Sequence, residues 1–152
     1  LIGVNIALNN GMTINAEYRD SRTLSLNSSA LQVVEAYSRS LVIGAGYKIA
    51  NFNSVLKLKQ KQQGVSNDLT LNFDLNLSNN TALIRKIDVG TAQATSGTRT
   101  LSVNFTANYQ MSKRITMGAY FDHQVNTPLV SSSSYPTTNT NYGISVNISL
   151  TK

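Results

Sequence analysis

His123 is the single histidine of the chain, and Asp122 stands directly before it. An imidazole beside a carboxylate could serve as a proton relay. The two lie, however, in a stretch where apolar and polar residues alternate, and adjacent strand residues point to opposite faces. The spacing keeps them apart, and His123 reads as an interfacial residue near the outer rim. Lys57, Lys59 and Lys61 share one strand face and lack interleaved aromatics. That pattern fits a solvated or lipid-headgroup face, and nucleic acid is not an expected partner. There is no cysteine, so no disulfide framework and no thiolate metal site. No His/Cys cluster has zinc-binding spacing, and no Ser–His–Asp set can be assembled. Asn-X-Ser/Thr triplets begin at Asn27, Asn79, Asn104 and Asn147, as chance gives in so Asn/Ser/Thr-rich a chain. The residues therefore point to no catalytic group, no cofactor and no metal. The expectation is a protein that is not an enzyme.

What these residues sit on is set by a period of two, the signature of strands. Leu69, Leu71, Phe73, Leu75 and Leu77 alternate with Thr70, Asn72, Asp74, Asn76 and Ser78. Leu101, Val103, Phe105, Ala107, Tyr109 and Met111 alternate with Ser102, Asn104, Thr106, Asn108 and Gln110. Ile115, Met117, Ala119, Phe121 and Val125 oppose Thr116, Gly118, Tyr120, Asp122 and Gln124. Tyr142, Ile144, Val146, Ile148 and Leu150 oppose Gly143, Ser145, Asn147 and Ser149. Weaker stripes run through Ile2 to Leu8, Met12 to Tyr18 and Leu41 to Ile49, giving seven strands in all. The clear stripes have the length a tilted strand needs to cross a bilayer. Ala30 to Tyr37 carries the one expectation of a short helix, in an outside loop.

Alternation alone equally fits a soluble β-sandwich, and an Asn/Ser/Thr-rich surface adhesin stays open as well. Two features favour a membrane. Charged residues are only 13% of the chain, about half the roughly 25% of soluble domains. Nothing ionisable falls on the apolar parity of residues 69–77, 101–111 or 142–150. The expected fold is thus all-β, an antiparallel transmembrane β-barrel of which residues 1–152 supply about seven C-terminal strands. Leu69, Leu71, Phe73, Leu75, Leu101, Val103, Phe105, Ile144, Val146 and Ile148 are expected to face lipid. Thr70, Asn72, Asp74, Asn76, Ser102, Asn104, Thr106, Asn108, Tyr120, Asp122, Ser145, Asn147 and Ser149 are expected to face a wet lumen. Tyr47 and Tyr109 fall toward the periplasmic ends, and Phe121 and Tyr142 toward the outer ends, as interfacial girdles would.

The connections set the topology. Asn9-Asn10-Gly11 is a hairpin signal, and Met111 to Arg114 holds the other short turn. These are connections one and five, on one side. Connections two, four and six read as long and polar, and lie on the other, so loops around Arg85-Lys86 and Ser131 to Asn139 are expected outside the cell. Connection three, about Ala50 to Asn67, is the exception; its alternating Leu56 and Leu58 predict strands extending past the membrane. Single-chain bacterial barrels have even strand numbers from eight up, and an open sheet would leave two unsatisfied edges in lipid, so further strands are expected before Leu1, in keeping with a start that has neither Met nor a signal peptide. The C-terminus is placed in the periplasm, the localisation in a bacterial outer membrane.

Specific residues go further. Asn67-Asp68-Leu69 through Leu77, Leu83-Ile84-Arg85-Lys86-Ile87-Asp88 and Thr95-Ser96-Gly97 resemble the C-terminal region of the SprA/Sov family. So do Phe121 through Pro128, Ser134-Tyr135-Pro136, Asn141 through Ser145, and the earlier Gly11 to Arg19 with Ser21 to Leu24. That family is the outer-membrane translocon of the type IX secretion system of Bacteroidetes. The resemblance implies a very large barrel that passes folded cargo proteins through a lateral opening toward a PorV-like shuttle, with a plug protein at its periplasmic end. A porin or TonB-dependent importer shares the same barrel physics and remains the alternative, beside the adhesin.

Overall fold

A computed structural model of the chain describes residues 1–52, 67–112, 114–130 and 135–149. Seven strands form one antiparallel sheet in sequence order: β1 (Ile2–Ala7), β2 (Met12–Asn27), β3 (Gln32–Ile49), β4 (Leu69–Lys86), β5 (Ala92–Gln110), β6 (Ile115–Pro128) and β7 (Thr137–Ile148). β1 and β7 are the two edges, and the sheet does not close on itself.

Each short turn is built from its own polar side chains. At the first, Gly11 has φ +84°, where a Cβ would lie 2.7 Å from the Lys48 carbonyl oxygen. The Asn10 side-chain oxygen accepts the Met12 N–H at 3.1 Å. At connection five, Ser112 Oγ accepts the N–H groups of Arg114 and Ile115 at 3.2 and 3.1 Å. Connection three opens at Asn51 (φ 53°), whose N–H donates to Asp68 Oδ1 at 3.2 Å. Lys48 Nζ meets the other Asp68 oxygen at 2.8 Å. The strand extension expected around Leu56 and Leu58, and the face of Lys57, Lys59 and Lys61, lie outside the described residues.

Two expectations are corrected at the opposite end. The segment 30–37 is not helical: Ala30 and Leu31 turn, with Leu31 at φ 49°, and residues from Gln32 on form β3. The β-branched Val33 and Val34 favour a strand, and Glu35 is held in a cross-strand cluster described below. Connections two and four are not long loops either. They occupy only residues 28–31 and 87–91, and connection six 129–136. The polar stretches that read as loops are β2, β3, β4 and β5 themselves, paired far past their apolar stripes, so Arg85 and Lys86 end β4. A strand of 18 residues such as β3 spans about 60 Å at ~3.3 Å per residue, roughly twice a bilayer's hydrocarbon core even before tilt.

Register decides which side chains share a face, because directly opposed residues point the same way. Ile6, Ile14, Ala45, Phe73, Phe105, Phe121 and Tyr142 form one continuous row across all seven strands. Asn5, Asn15, Gly44, Asp74, Asn104, Asp122 and Asn141 form the next row, on the other face. The one slip, at Ala82/Leu83 in the β4–β5 pair, lies beyond the apolar stripes, so seven separate stripes merge into one apolar face and one polar face. The same register corrects the aromatic placement. Phe121 and Tyr142 stand level with Phe73 and Phe105, in the middle of the β4 and β5 stripes, because β6 runs on to Pro128 and β7 begins at Thr137.

The described residues form no apolar core. Among the described residues the buried ones are Glu35, Gly44 and Asn67, and no hydrophobic side chain is buried.

Candidate functional site

The polar face carries the residues expected to line a lumen. Register sets Asn76 beside Ser102, Asp74 beside Asn104 and Asp122, Asn72 beside Thr106 and Tyr120, and Thr70 beside Asn108. Ser145 and Asn147 join that face through Gly118 and Thr116, and Ser149 follows β7 with its N–H donating to the Arg114 carbonyl at 2.8 Å. Short polar side chains bond across strands here: Asn72 Nδ2 to Thr106 Oγ1 at 3.3 Å, and Thr100 Oγ1 to Asn126 Oδ1 at 2.8 Å. Ser38 Oγ donates to Asn80 Oδ1 at 2.7 Å on the same face.

The opposite face holds Leu69, Leu71, Phe73, Leu75, Leu101, Val103, Phe105, Ile144, Val146 and Ile148 together. The two faces differ in crowding. Gly44 and Gly143 sit on the polar face, where a Cβ at Gly44 would collide with the Asn15 and Asp74 side chains, and one at Gly143 with the Tyr120 ring at 2.7 Å. Polar side chains of the neighbouring strands lean over these glycines. On the apolar face, Phe73, Phe105 and Phe121 remain about 40% exposed although each has a strand on both sides. This is the reverse of a soluble sheet, whose apolar face is the covered one.

Asp122 and His123 are separated as the alternation predicts. Asp122 lies in the Asn row, between Asn104 and Asn141. His123 belongs to the apolar face, between Val103 and Thr140. Its Nδ1 is 2.8 Å from Thr140 Oγ1, and its ring stacks near Phe121 with 6.4 Å between centroids. No route for a proton joins the two. Among the described residues, no three His, Cys, Asp or Glu side chains gather as a metal site.

No protein-family model matches the chain, and none of the curated proteins matches it. The resemblance to the SprA/Sov translocon therefore rests on the quoted residues alone.

Sequence reasoning missed a charged cluster on the apolar parity, beyond the stripes. Glu35 is only 1% exposed. Its Oε1 takes the Tyr37 hydroxyl and the Arg22 guanidinium, and its Oε2 lies 3.5 Å from Arg85 Nη2. Arg22 also stands over the Tyr37 ring at 5.4 Å. Below it, Arg39 Nε donates to Asp20 Oδ2 at 3.1 Å. The hydrogen bond from Tyr37 holds the Glu35 carboxyl below the usual carboxylate range, with help from Arg22 and Arg85 and against the effect of burial. The same bond pushes the Tyr37 phenol up. A signal existed in the sequence: Arg39 precedes Leu41 by two, and Arg99 precedes Leu101 by two. Extending those strands places the charges on the apolar parity.

Proposed function

We propose that the chain is part of the wall of an outer-membrane β-barrel, its apolar face toward lipid and its polar face toward a water-filled lumen. The carrying observation is the inverted amphipathicity: the apolar stripes of seven strands share one open face, and among the described residues no hydrophobic one is buried. In water such a face would far exceed the apolar patches that soluble monomers tolerate. In lipid it costs nothing, while the converging Asn, Ser, Thr and Asp side chains keep their water. The open edges at β1 and β7 are closed in this reading by further strands, because unpaired N–H and C=O groups each cost several kcal/mol in hydrocarbon.

The cargo follows from the resemblance: a type IX protein-conducting translocon, exporting folded cargo proteins past a PorV-like shuttle and a plug protein. The lining supports it, since small neutral groups offer a passing protein neither a large apolar patch nor a strong fixed charge to bind. The wall is static and carries no catalytic group. The test is a secretion assay on the full-length protein. Deleting Asn141 to Lys152 is expected to abolish assembly and secretion. Alanine at Asn72, Asn104, Asp122 or His123 is expected to leave both intact. Loss of secretion from one alanine change with normal assembly would point to a specific chemical site instead of a wall.

A further inference from the structure

Tyr120 is the one aromatic side chain on the polar face of the described strands. Its ring lies across Gly143 of β7, the residue it opposes. A Cβ at Gly143 would come within 2.7 to 2.9 Å of the ring's Cε1 and Cζ and of the hydroxyl oxygen. Two residues along, the fit runs the other way. Ser145 of β7 opposes Gly118 of β6, and its Oγ would lie 2.7 Å from a Cβ there. Gly118 and Gly143 are the single glycines of their strands. Each strand thus offers one notch and fills the other's.

The β6–β7 pair has little else to fix its register. Residues 129–136 connect the two strands, longer than the roughly 2–5 residues of a hairpin loop that sets a register by its turn. Alternation excludes a slip of one residue, which would carry every side chain to the other face. It permits a slip of two. Tyr142, Ile144, Val146 and Ile148 would still share a face, and so would Asn139, Asn141, Ser145 and Asn147. His123 Nδ1 lies 2.8 Å from Thr140 Oγ1, but Thr138 would offer the same hydroxyl after one of the two slips. The notches tell the three registers apart. Sliding β7 one way sets Tyr120 against Ser145, where a side chain stands instead of a notch, and Gly118 against Asn147. Sliding it the other way sets Tyr120 against Asn141 and leaves Gly118 opposite Gly143, two backbones with no side chain between them.

We propose that Tyr120 with Gly143, and Ser145 with Gly118, form a register key that admits β7 in one alignment with β6. The ring also covers the bare backbone of an edge strand, as aromatic side chains do for edge glycines. The consequence lies at the free edge of β7. A slip of two residues would shift that edge by about 7 Å, and the seam with any adjoining strand would form one rung out of place. The key works whatever medium meets the apolar face, so its test does not depend on the membrane reading.

The test uses the full-length protein with any other cysteines replaced, carrying cysteine pairs across β6 and β7. Directly opposed residues have Cα atoms about 4.5–5.5 Å apart, within reach of a disulfide, whereas diagonal neighbours are about 7–8 Å apart and out of reach. Gln124→Cys with Asn139→Cys reports the observed register. Gln124→Cys with Asn141→Cys, or with Thr137→Cys, reports the two slips. With Tyr120 and Gly143 in place, the first pair is expected to close and the others to stay near background. Tyr120→Ala is expected to raise the slipped disulfides about fivefold, the most that one cross-strand pair contributes. Exchanging the two residues, Tyr120→Gly with Gly143→Tyr, returns a ring to a notch and is expected to restore the native pair alone. Slipped disulfides that do not rise in Tyr120→Ala overturn the key, and so do slipped disulfides in the exchange variant. If Tyr120→Ala does not assemble, the exchange variant decides: assembly with the native disulfide supports the key, and failure to assemble overturns it.

Discussion

Two regions share one face of the sheet and differ in everything but hydrogen bonding. From Leu41 to Ile49 the outward parity of β3 reads Leu, Ile, Ala, Tyr, Ile. Moving the other way it reads Arg39, Tyr37 and Glu35. β2 changes at the same register row, from Tyr18 to Asp20 and Arg22, and β5 from Leu101 to Arg99. The ladder runs through the change without a break between β2 and β3, and between β3 and β4. A fold boundary would interrupt pairing; a boundary between two solvents need not. On the proposed membrane reading, the strands are long because they serve two media: an apolar band held against hydrocarbon, and hairpin arms held together by charge.

Arginine substitutions should break the comparison most sharply. Phe105→Arg in the band is expected to cost about 2–4 kcal/mol of barrel stability, and Leu24→Arg on the arm only about 0–1. Asn104→Arg, one residue from Phe105 but on the polar face, is expected to resemble the arm. Heat-modifiable gel mobility of the assembled barrel measures all three, and equal losses would mean that the faces do not differ in solvent.

A smaller effect is expected from the cluster that fastens the arms. Glu35→Gln keeps the shape but removes the charge that Arg22 and Arg85 share. Amide hydrogen exchange should quicken in the arm segments of β2, β3 and β4 and stay unchanged in the band. Acid should do the same to the wild-type protein. The Glu35 carboxyl sits below its ordinary range when folded, so its contribution is complete at neutral pH and is lost as pH falls through the depressed folded value. The Gln variant should lack that acid transition.

Much of the band was legible in the sequence. Period-two stripes such as Leu69 to Leu77 fix the strands, and a register in which Phe73 meets Phe105 and Phe121 follows once one face must be kept apolar. The separation of Asp122 from His123 followed from the same rule. The arms were not legible, for a physical reason. Past the band polar residues fall on both faces, so the pattern that marks a strand there fades, and the stretch from Arg19 to Asn27 looks like loop. What orders them is pairing between distant segments, as in Arg22 with Glu35 and Arg85, which no local window contains. Phe121 and Tyr142 were misplaced because depth depends on where neighbouring strands end, which alternation alone does not give.

The central claim is that alternate residues of one strand meet lipid and water. A nitroxide scan of residues 101–110 on β5, in full-length protein reconstituted in nanodiscs, tests it directly. Collision with oxygen, which concentrates in lipid, is expected to peak at Leu101, Val103, Phe105 and Ala107. Collision with a water-soluble nickel chelate is expected to peak at Ser102, Asn104, Thr106 and Asn108. Two accessibilities that rise and fall together, or a nickel maximum at Val103 and Phe105, would contradict the account.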